Sequence, residues 1–371
     1  MAKLSTTSRF AVLLALVLAG GALAEPARAD DVAANLASGT LKIVGGNADD
    51  VLTIDSAGLG PNELRLTPGG STTINGSGAP VIFGDVTGDL DVSLGAGTNQ
   101  VTVAAIVVGG GLRIKTGAGN DSIQITGTQV QDDVQLSLGA GTNGILLDME
   151  AFNGNLAIKT GVGMDSLQLT RASVGGGVKI DLGAGGNGLL MDLMSSIGDN
   201  LSLKTGSGDD SVQVTRSSVG GGVKVDLGAG GNDLLMDLVS SIGDNLSVKA
   251  GKGNDLVQVT RSSIGGAAKI DLGAGDNSLL MDQLTIGDNA SVKGGKGADA
   301  LVQLTNSSVG QNASFNLGAG NNALLVDTAT VGENLTIKSG NGDDTITVTN
   351  NSIGGSLKLK NGKGTDIITV P

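Results

Sequence analysis

Acidic side chains that recur once in every two repeats are the residues of this chain best suited to proton transfer. They are Asp148, Asp192, Asp237, Asp282 and Asp327. Threonines alternate with them at 170, 215, 260, 305 and 349, and Arg171, Arg216 and Arg261 each follow such a threonine. Carboxylates stacked two coils apart would be about 9.6 Å apart, near the separation used by inverting glycosidases. Because the acids recur in every unit beside arginines, however, a structural role is the stronger interpretation.

A second acidic set closes short Gly-x-Gly turns, as in GSGDD at 206–210. It comprises Asp121, Asp165, Asp210, Asp255, Asp299 and Asp344. Turns between them carry Asn99, Asn143, Asn187, Asn232, Asn277 and Asn322. Asn and Asp favour tight turns because they tolerate left-handed backbone and bond to it, so these residues are first interpreted as structural.

The composition excludes several kinds of chemistry. His, Cys, Trp and Tyr are absent, and aromatic residues make up 1% of the chain. Disulfides, thiolate catalysis and histidine-based zinc sites or acid-base catalysis are therefore excluded, as are aromatic platforms for sugar rings. The formal charge is −13, and Lys and Arg are scattered singly along the sequence. No basic stripe is predicted, and nucleic acid is not an expected partner.

Internal repetition predicts the fold. The first glycine of the turn stands at 95, 117, 139, 161, 183, 206, 228, 251, 273, 295, 318, 340 and 362. Between these turns apolar residues alternate, as at Val223 and Val225, which is strand periodicity. The sequence therefore predicts an all-β parallel β-helix, or β-solenoid, with coils of 22–23 residues and roughly 14–15 coils.

Charge distinguishes a 22-residue coil from a 45-residue coil. Lys204, Asp226, Lys249 and Asp271 each precede a turn. The shorter coil stacks opposite charges about 4.8 Å apart, whereas the longer one stacks lysine on lysine. We therefore expect the shorter coil.

The same register predicts an outward column of leucines alternating with glutamines. Its leucines are Leu146, Leu190, Leu235, Leu280 and Leu325, and its glutamines are Gln168, Gln213, Gln258 and Gln303. Such a column is either a lateral contact surface or an error of one residue in the inward-outward assignment.

The turn sequences also resemble the haemolysin-type, or RTX, glycine-rich repeat, with its pattern GGxGxDxUx. The resemblance rests on GAGND at 117–121, GSGDD at 206–210, GKGND at 251–255 and GNGDD at 340–344, and on GGNADDVLT at 45–53. It implies a parallel β-roll in which Asp121, Asp165, Asp210, Asp255, Asp299 and Asp344 bind calcium together with turn carbonyls. The coil here is longer than two nine-residue repeats, and every second turn has Asn in place of Asp.

Three regions are expected. Residues 1–29 have a basic start, an apolar run and small-x-small cleavage patterns, which indicate a secretory signal peptide. Residues 30–90, with Pro61, Pro68 and Pro80, are irregular coils and a cap, and residues 91–371 are the regular repeats. No later segment is expected to span a membrane.

These patterns predict a secreted or cell-envelope protein, extracellular or periplasmic. The expected function is that of a non-enzymatic structural or surface-interaction rod, with self-association or a cell-surface or matrix component as partner. Calcium binding and, less favoured, a polysaccharide-active β-helix enzyme are the alternatives.

Overall fold

The computed structural model describes residues 31–192, 195–239 and 241–370. Every regular element in these ranges is a β-strand, and no helix occurs in them. The strands form parallel solenoid coils, about 13 in number, against the 14–15 predicted. The predicted all-β parallel β-solenoid is therefore confirmed, while the candidate signal peptide at 1–29 lies outside the described residues.

The chain divides into two compact units, of which unit 1 comprises residues up to 190 together with 195–197. Its strands belong to three sheets. Sheet 1 contains β1 (Asp31–Ala37), β2 (Thr40–Val44), β5 (Thr73–Ile74), β7 (Leu90–Ser93), β10 (Leu112–Lys115), β13 (Val134–Ser137), β16 (Leu156–Lys159) and β19 (Val178–Asp181). Sheet 2 contains β3 (Val51–Asp55), β4 (Leu64–Gly69), β6 (Val81–Phe83), β8 (Gln100–Ala104), β11 (Ser122–Thr126), β14 (Gly144–Asp148), β17 (Ser166–Thr170) and β20 (Gly188–Asp192), in which the division falls. Sheet 3 contains β9 (Val107–Val108), β12 (Gln129–Val130), β15 (Ala151–Phe152), β18 (Ser173–Val174) and β21 (Ser196–Ile197).

Unit 2 comprises 191–194 and the residues from 198 onward, and it repeats the same three kinds of strand. Sheet 1 contains β22 (Leu201–Lys204), β25 (Val223–Asp226), β28 (Leu246–Lys249), β31 (Ala268–Asp271), β34 (Ala290–Lys293), β37 (Ala313–Asn316), β40 (Leu335–Lys338) and β43 (Leu357–Lys360). Sheet 2 contains β23 (Ser211–Thr215), β26 (Asp233–Asp237), β29 (Leu256–Thr260), β32 (Ser278–Asp282), β35 (Leu301–Thr305), β38 (Ala323–Asp327), β41 (Thr345–Thr349) and β44 (Ile367–Thr369). Sheet 3 contains β24 (Ser218–Val219), β27 (Ser241–Ile242), β30 (Ser263–Ile264), β33 (Thr285–Ile286), β36 (Ser308–Val309), β39 (Thr330–Val331) and β42 (Ser352–Ile353).

The predicted register is confirmed in unit 2. Lys204 pairs with Asp226, Asp226 with Lys249, and Lys249 with Asp271, so one coil takes 22 or 23 residues. Side chains alternate across each strand: Leu201 and Leu203 are buried in the coil interior, while Lys204 is exposed. Full burial of such an aliphatic side chain contributes about 1.5–3 kcal/mol, and stacking continues this interior from coil to coil.

Glycine in the turns permits the close stacking of coils. Gly228 has a φ of +79°, and a Cβ placed on it would lie 1.5 Å from the carbonyl oxygen of Gly206 in the preceding coil. Any side chain there would force the coils apart, so the recurrent glycine is a requirement of the coil spacing.

The first strands of unit 1 depart from the parallel pattern. Strand β1 pairs antiparallel with β2, and β4 pairs antiparallel with both β3 and β6. The stretch between Asp55 and Leu90, which contains Pro61, Pro68 and Pro80, therefore forms the antiparallel strands β4 and β6 and the two-residue β5, which pairs parallel with β1, instead of a regular coil. Proline has no N–H for a ladder, which disfavours a regular coil there and accounts for the lower coil number.

Candidate functional site

The turn aspartates and asparagines form a buried ladder within each unit. All six aspartates named from the sequence, and the six intervening asparagines, are at most 2% exposed. Unit 1 contains the stretch from Asn99 to Asn187, and unit 2 the stretch from Asp210 to Asn322 and Asp344. The carboxylates are thus inside the turns, where the sequence alone did not place them.

Backbone and side-chain amides of asparagine donate to one oxygen of the carboxylates of Asp121, Asp165, Asp255, Asp299 and Asp344. In unit 2, the backbone N–H and Nδ2 of Asn232 both donate to Oδ1 of Asp255, at 2.9 and 2.8 Å. The N–H of Asp255 donates in turn to Oδ1 of Asn277 at 2.9 Å. Unit 1 repeats this geometry, since Asn143 donates twice to Asp165 at 2.9 and 2.8 Å. Alternating Asn with Asp therefore matches donors to acceptors in successive coils.

The asparagine amide also occupies the space in front of the turn carbonyls. Nδ2 of Asn277 donates to the carbonyl of Gly275 at 3.0 Å, and Nδ2 of Asn322 to that of Gly320 at 2.8 Å. Calcium takes about six to eight oxygen ligands. Here the turn carbonyl and the carboxylate Oδ1 already accept amide hydrogens, and the described residues contain no group of three acidic, His or Cys side chains placed to hold a metal. The ladder as it stands does not fit a calcium shell, and calcium binding remains a prediction.

The second carboxylate oxygen faces the interior. Oδ2 of Asp255 and of Asp299 is buried without a hydrogen-bond partner. A Cβ built on Gly294 would lie 2.5 Å from Oδ2 of Asp299, which places this oxygen against the inner backbone. Burial raises the pKa of Asp255 to about 6 and also raises the pKa of Asp165, Asp299 and Asp344.

The acids suggested for proton transfer lie at the end of the sheet 2 strands and are paired. Thr260 Oγ1 and Arg261 Nε donate to Oδ1 of Asp237 at 2.6 and 2.8 Å, and Arg261 Nη2 forms an ion pair with Oδ2. Partial burial favours the neutral acid, but the hydrogen bonds from Arg261 and Thr260 prevail and lower the pKa of Asp237. The pKa values of Asp148, Asp282 and Asp327 are lowered too. A glycosidase needs one protonated acid, and these four carboxyls do not supply it.

Sequence reasoning missed one buried acid that does not repeat. Glu150 is 3% exposed, its Oε2 accepts the N–H of Thr128 at 2.9 Å, and its Oε1 has no partner. Burial raises the pKa of Glu150 to about 7, despite that backbone hydrogen bond. The signal available in the sequence was an acid at a position where the coil before has Thr128 and the coil after has Ala172. Because Glu150 is buried inside the coil, we expect its ionisation to affect the stability of the fold and not a reaction at the protein surface.

The leucine-glutamine column is on the outward side of sheet 2, as predicted. In unit 2, Gln213 pairs with Leu235, Leu235 with Gln258, and Gln258 with Leu280. Leu235 and Leu280 are half-buried, whereas their neighbours Leu234 and Leu279 are in the core. The inward-outward assignment is therefore correct.

The outward side chains of sheet 1 in unit 2 form a charged surface that was not predicted from the sequence. Its basic members are Lys204, Lys224, Lys249, Lys269, Lys293, Lys338, Lys358 and Lys360. Asp226 and Asp271 are its acidic members, and we name this surface the lysine face. The three other lysines of unit 2, Lys252, Lys296 and Lys363, are in the following turn. Lysines that are scattered in the sequence thus lie on one side of sheet 1. The signal in the sequence is that each of them is the second or fourth residue of a strand.

Searches of protein-family models, curated proteins and solved structures found no match to this chain. The described residues contain no helix that could cross a membrane. Inferences about function therefore depend on the residues and geometry of this chain.

Proposed function

We propose that this chain is a secreted, non-enzymatic β-solenoid with a structural or surface-interaction role. The observation that supports this function is that the same types of outward-facing side chain recur from coil to coil. In unit 2, lysine recurs at Lys204, Lys249, Lys293 and Lys338, and an outward leucine recurs at Leu235, Leu280 and Leu325. A repeated surface suits many equivalent contacts with an extended partner, whereas catalysis needs one distinct constellation.

The shape of the surface supports the same function. A groove of about 250 Å³ near the last coils of unit 2 is open to solvent and is lined by turn glycines, asparagines, Lys338 and Lys360. It contains no carboxylate or hydroxyl side chain that could act as acid, base or nucleophile. Contact with a partner is a more suitable role for this groove than turnover.

Cell fractionation tests export. The full chain, with an epitope after residue 371, is expressed in the source cells, and its amount is measured in the medium, envelope and cytoplasm. We expect it in the medium or envelope, and a variant lacking residues 1–29 in the cytoplasm. Retention of the full chain in the cytoplasm would contradict the proposed function.

A turnover assay tests the enzyme alternative. The purified chain is incubated with acidic and neutral polysaccharides, and new reducing ends are measured. We expect no release above the protein-free rate. Release that is lost on changing one carboxylate would replace the proposed role with that of a polysaccharide-active enzyme. The calcium-binding alternative draws support from the turn resemblance, but asparagine amides of the ladder already donate to the oxygens that would be its ligands.

A further inference from the structure

We propose that the lysine face binds linear anionic polysaccharides, which names a partner class for the surface-interaction function proposed above and rests on that function. Eight lysines and two aspartates on one sheet leave an excess of six positive charges. The chain as a whole carries −13. A local basic surface on an acidic protein attracts an anion to that surface and repels it elsewhere.

The lysine side chains of this face reach the solvent. All eight are exposed. Lys293 forms an ion pair with Asp271 at 3.1 Å, whereas Lys224, Lys249 and Lys269 form none with any residue that the structure describes. Ser202, Ser247, Ser291 and Ser314 lie between the lysines, with hydroxyl groups that can donate to ligand oxygens.

The spacing of charge matches a polymer. Lys204, Lys249, Lys293 and Lys338 recur in every second coil, so their backbones are about 9.6 Å apart. Lys224 and Lys269 occupy the coils between, on the neighbouring outward position. An extended polysaccharide with one acidic group in each disaccharide presents charges at a comparable interval, and several weak contacts then add along one chain.

An acidic border runs along one side of the lysine face. Asp199, Asp244, Asp288 and Glu333 precede strands of this sheet, whereas the turns that follow the strands carry both acids and lysines, namely Asp209, Asp276 and Asp343 with Lys252, Lys296 and Lys363. The excess of positive charge is therefore confined to strands of four residues, and this strip suits a single polysaccharide chain better than a nucleic acid duplex or a lipid surface. The face also has no aromatic side chain for base stacking and no apolar one for insertion into lipid.

Binding of the full chain to hyaluronan, which has one carboxylate in each disaccharide, tests this assignment. Affinity is measured by calorimetry at low ionic strength, with neutral dextran, duplex DNA and anionic phosphatidylserine vesicles as other probes. We expect hyaluronan to bind, with an affinity that falls as salt rises, and dextran not to bind. Absence of hyaluronan binding, or binding to duplex DNA or vesicles that is stronger and depends on the same lysines, would overturn the assignment.

A matched pair of variants locates the site. Lys224→Gln with Lys249→Gln and Lys269→Gln should weaken hyaluronan binding by at least about tenfold, because three contacts are lost. Lys252→Gln with Lys296→Gln and Lys363→Gln removes the same charge from the turns and should change the affinity less than about threefold. Equal losses would show that net charge, not the lysine face, controls binding. If fractionation places the chain outside the cell but hyaluronan does not bind, the polysaccharide assignment alone fails.

Discussion

At the scale of single residues, the buried turn ladder depends on alternating amide and carboxyl groups. Asn232 supplies two N–H donors to Asp255, and Asp255 leaves its second oxygen inside the coil. The stability of the ladder therefore depends both on the alternation of asparagine and aspartate from coil to coil and on pH.

Asp255→Asn tests this sensitivity. The folded pKa of Asp255, about 6, is above its usual 3.8, so its stability contribution is full below pH 4 and is lost as pH rises to about 6. We expect the variant to be more stable than the parent at pH 8, by roughly 1 to 3 kcal/mol, and not at pH 4. Thermal unfolding at both pH values measures this. The control, Asn232→Asp, replaces a donor with an acceptor and should destabilise at pH 8; equal behaviour of the two variants would refute the ladder geometry.

Glu150 gives a second pH dependence, confined to unit 1. Its folded pKa of about 7 exceeds the usual 4.5, so native stability should fall between about pH 4.5 and 7 and level off above. Glu150→Gln removes this loss, and the difference in unfolding midpoint between variant and parent should grow from pH 4.5 to pH 8. A difference that stays constant across this range would show that Glu150 does not ionise inside the coil.

At the scale of elements, the corner after most of the described sheet 2 strands holds a residue with positive φ. Leu238 has φ 51°, Arg261 48° and Gln283 54°, while Gly127 occupies the same corner in unit 1. A left-handed conformation costs a residue with a side chain about 1–2 kcal/mol, which glycine avoids.

Leu238→Gly should therefore change the stability of the fold by less than about 0.5 kcal/mol, because relief of the left-handed strain offsets the lost partial burial of a side chain that is 41% exposed. The matched control, Gln258→Gly in the middle of β29, should destabilise by about 0.5–1 kcal/mol. Chemical denaturation measures both. Destabilisation by Leu238→Gly as large as that of the control would show that the corner carries no strain.

The sequence was most informative where a pattern repeated. Glycine spacing predicted the coil, and the alternation of Lys204 with Asp226 predicted its register, because stacking makes equivalent positions neighbours. The inward direction of Asp255 depends on backbone geometry within the turn, and the lysine face depends on which strand residues point outward in adjacent coils. The antiparallel start of unit 1 has no repeat from which it could be predicted.

At the scale of the whole molecule, the outward leucines are a candidate surface for self-association. If the purified chain forms dimers or fibres, Leu235→Lys with Leu280→Lys should abolish them while the fold persists, because outward strand changes usually cost little stability. Sedimentation measures assembly and circular dichroism measures the fold. A control, Gln213→Lys with Gln303→Lys, adds the same charge and keeps both leucines; assembly that survives in the leucine variant would assign this column no role.

Calcium dependence is the remaining property of the whole chain that the ladder makes testable. Because asparagine amides already bind the turn carbonyls and Oδ1 of the aspartates, we expect calcium to raise the unfolding midpoint no more than sodium at equal ionic strength.

Asn232→Asp with Asn277→Asp would place carboxylates in successive coils from 210 to 299, remove the competing amides and lower stability by roughly 2–5 kcal/mol in the absence of metal. Calcium should then raise the midpoint of this variant specifically, because an ion that binds only the folded state stabilises it by mass action. Calorimetric titration distinguishes the outcomes. Saturable calcium binding by the parent chain would contradict this expectation and make Asp121, Asp165, Asp210, Asp255, Asp299 and Asp344 the first ligands to test by substitution. Saturable binding by the variant alone would show that the intervening asparagines keep this solenoid independent of calcium.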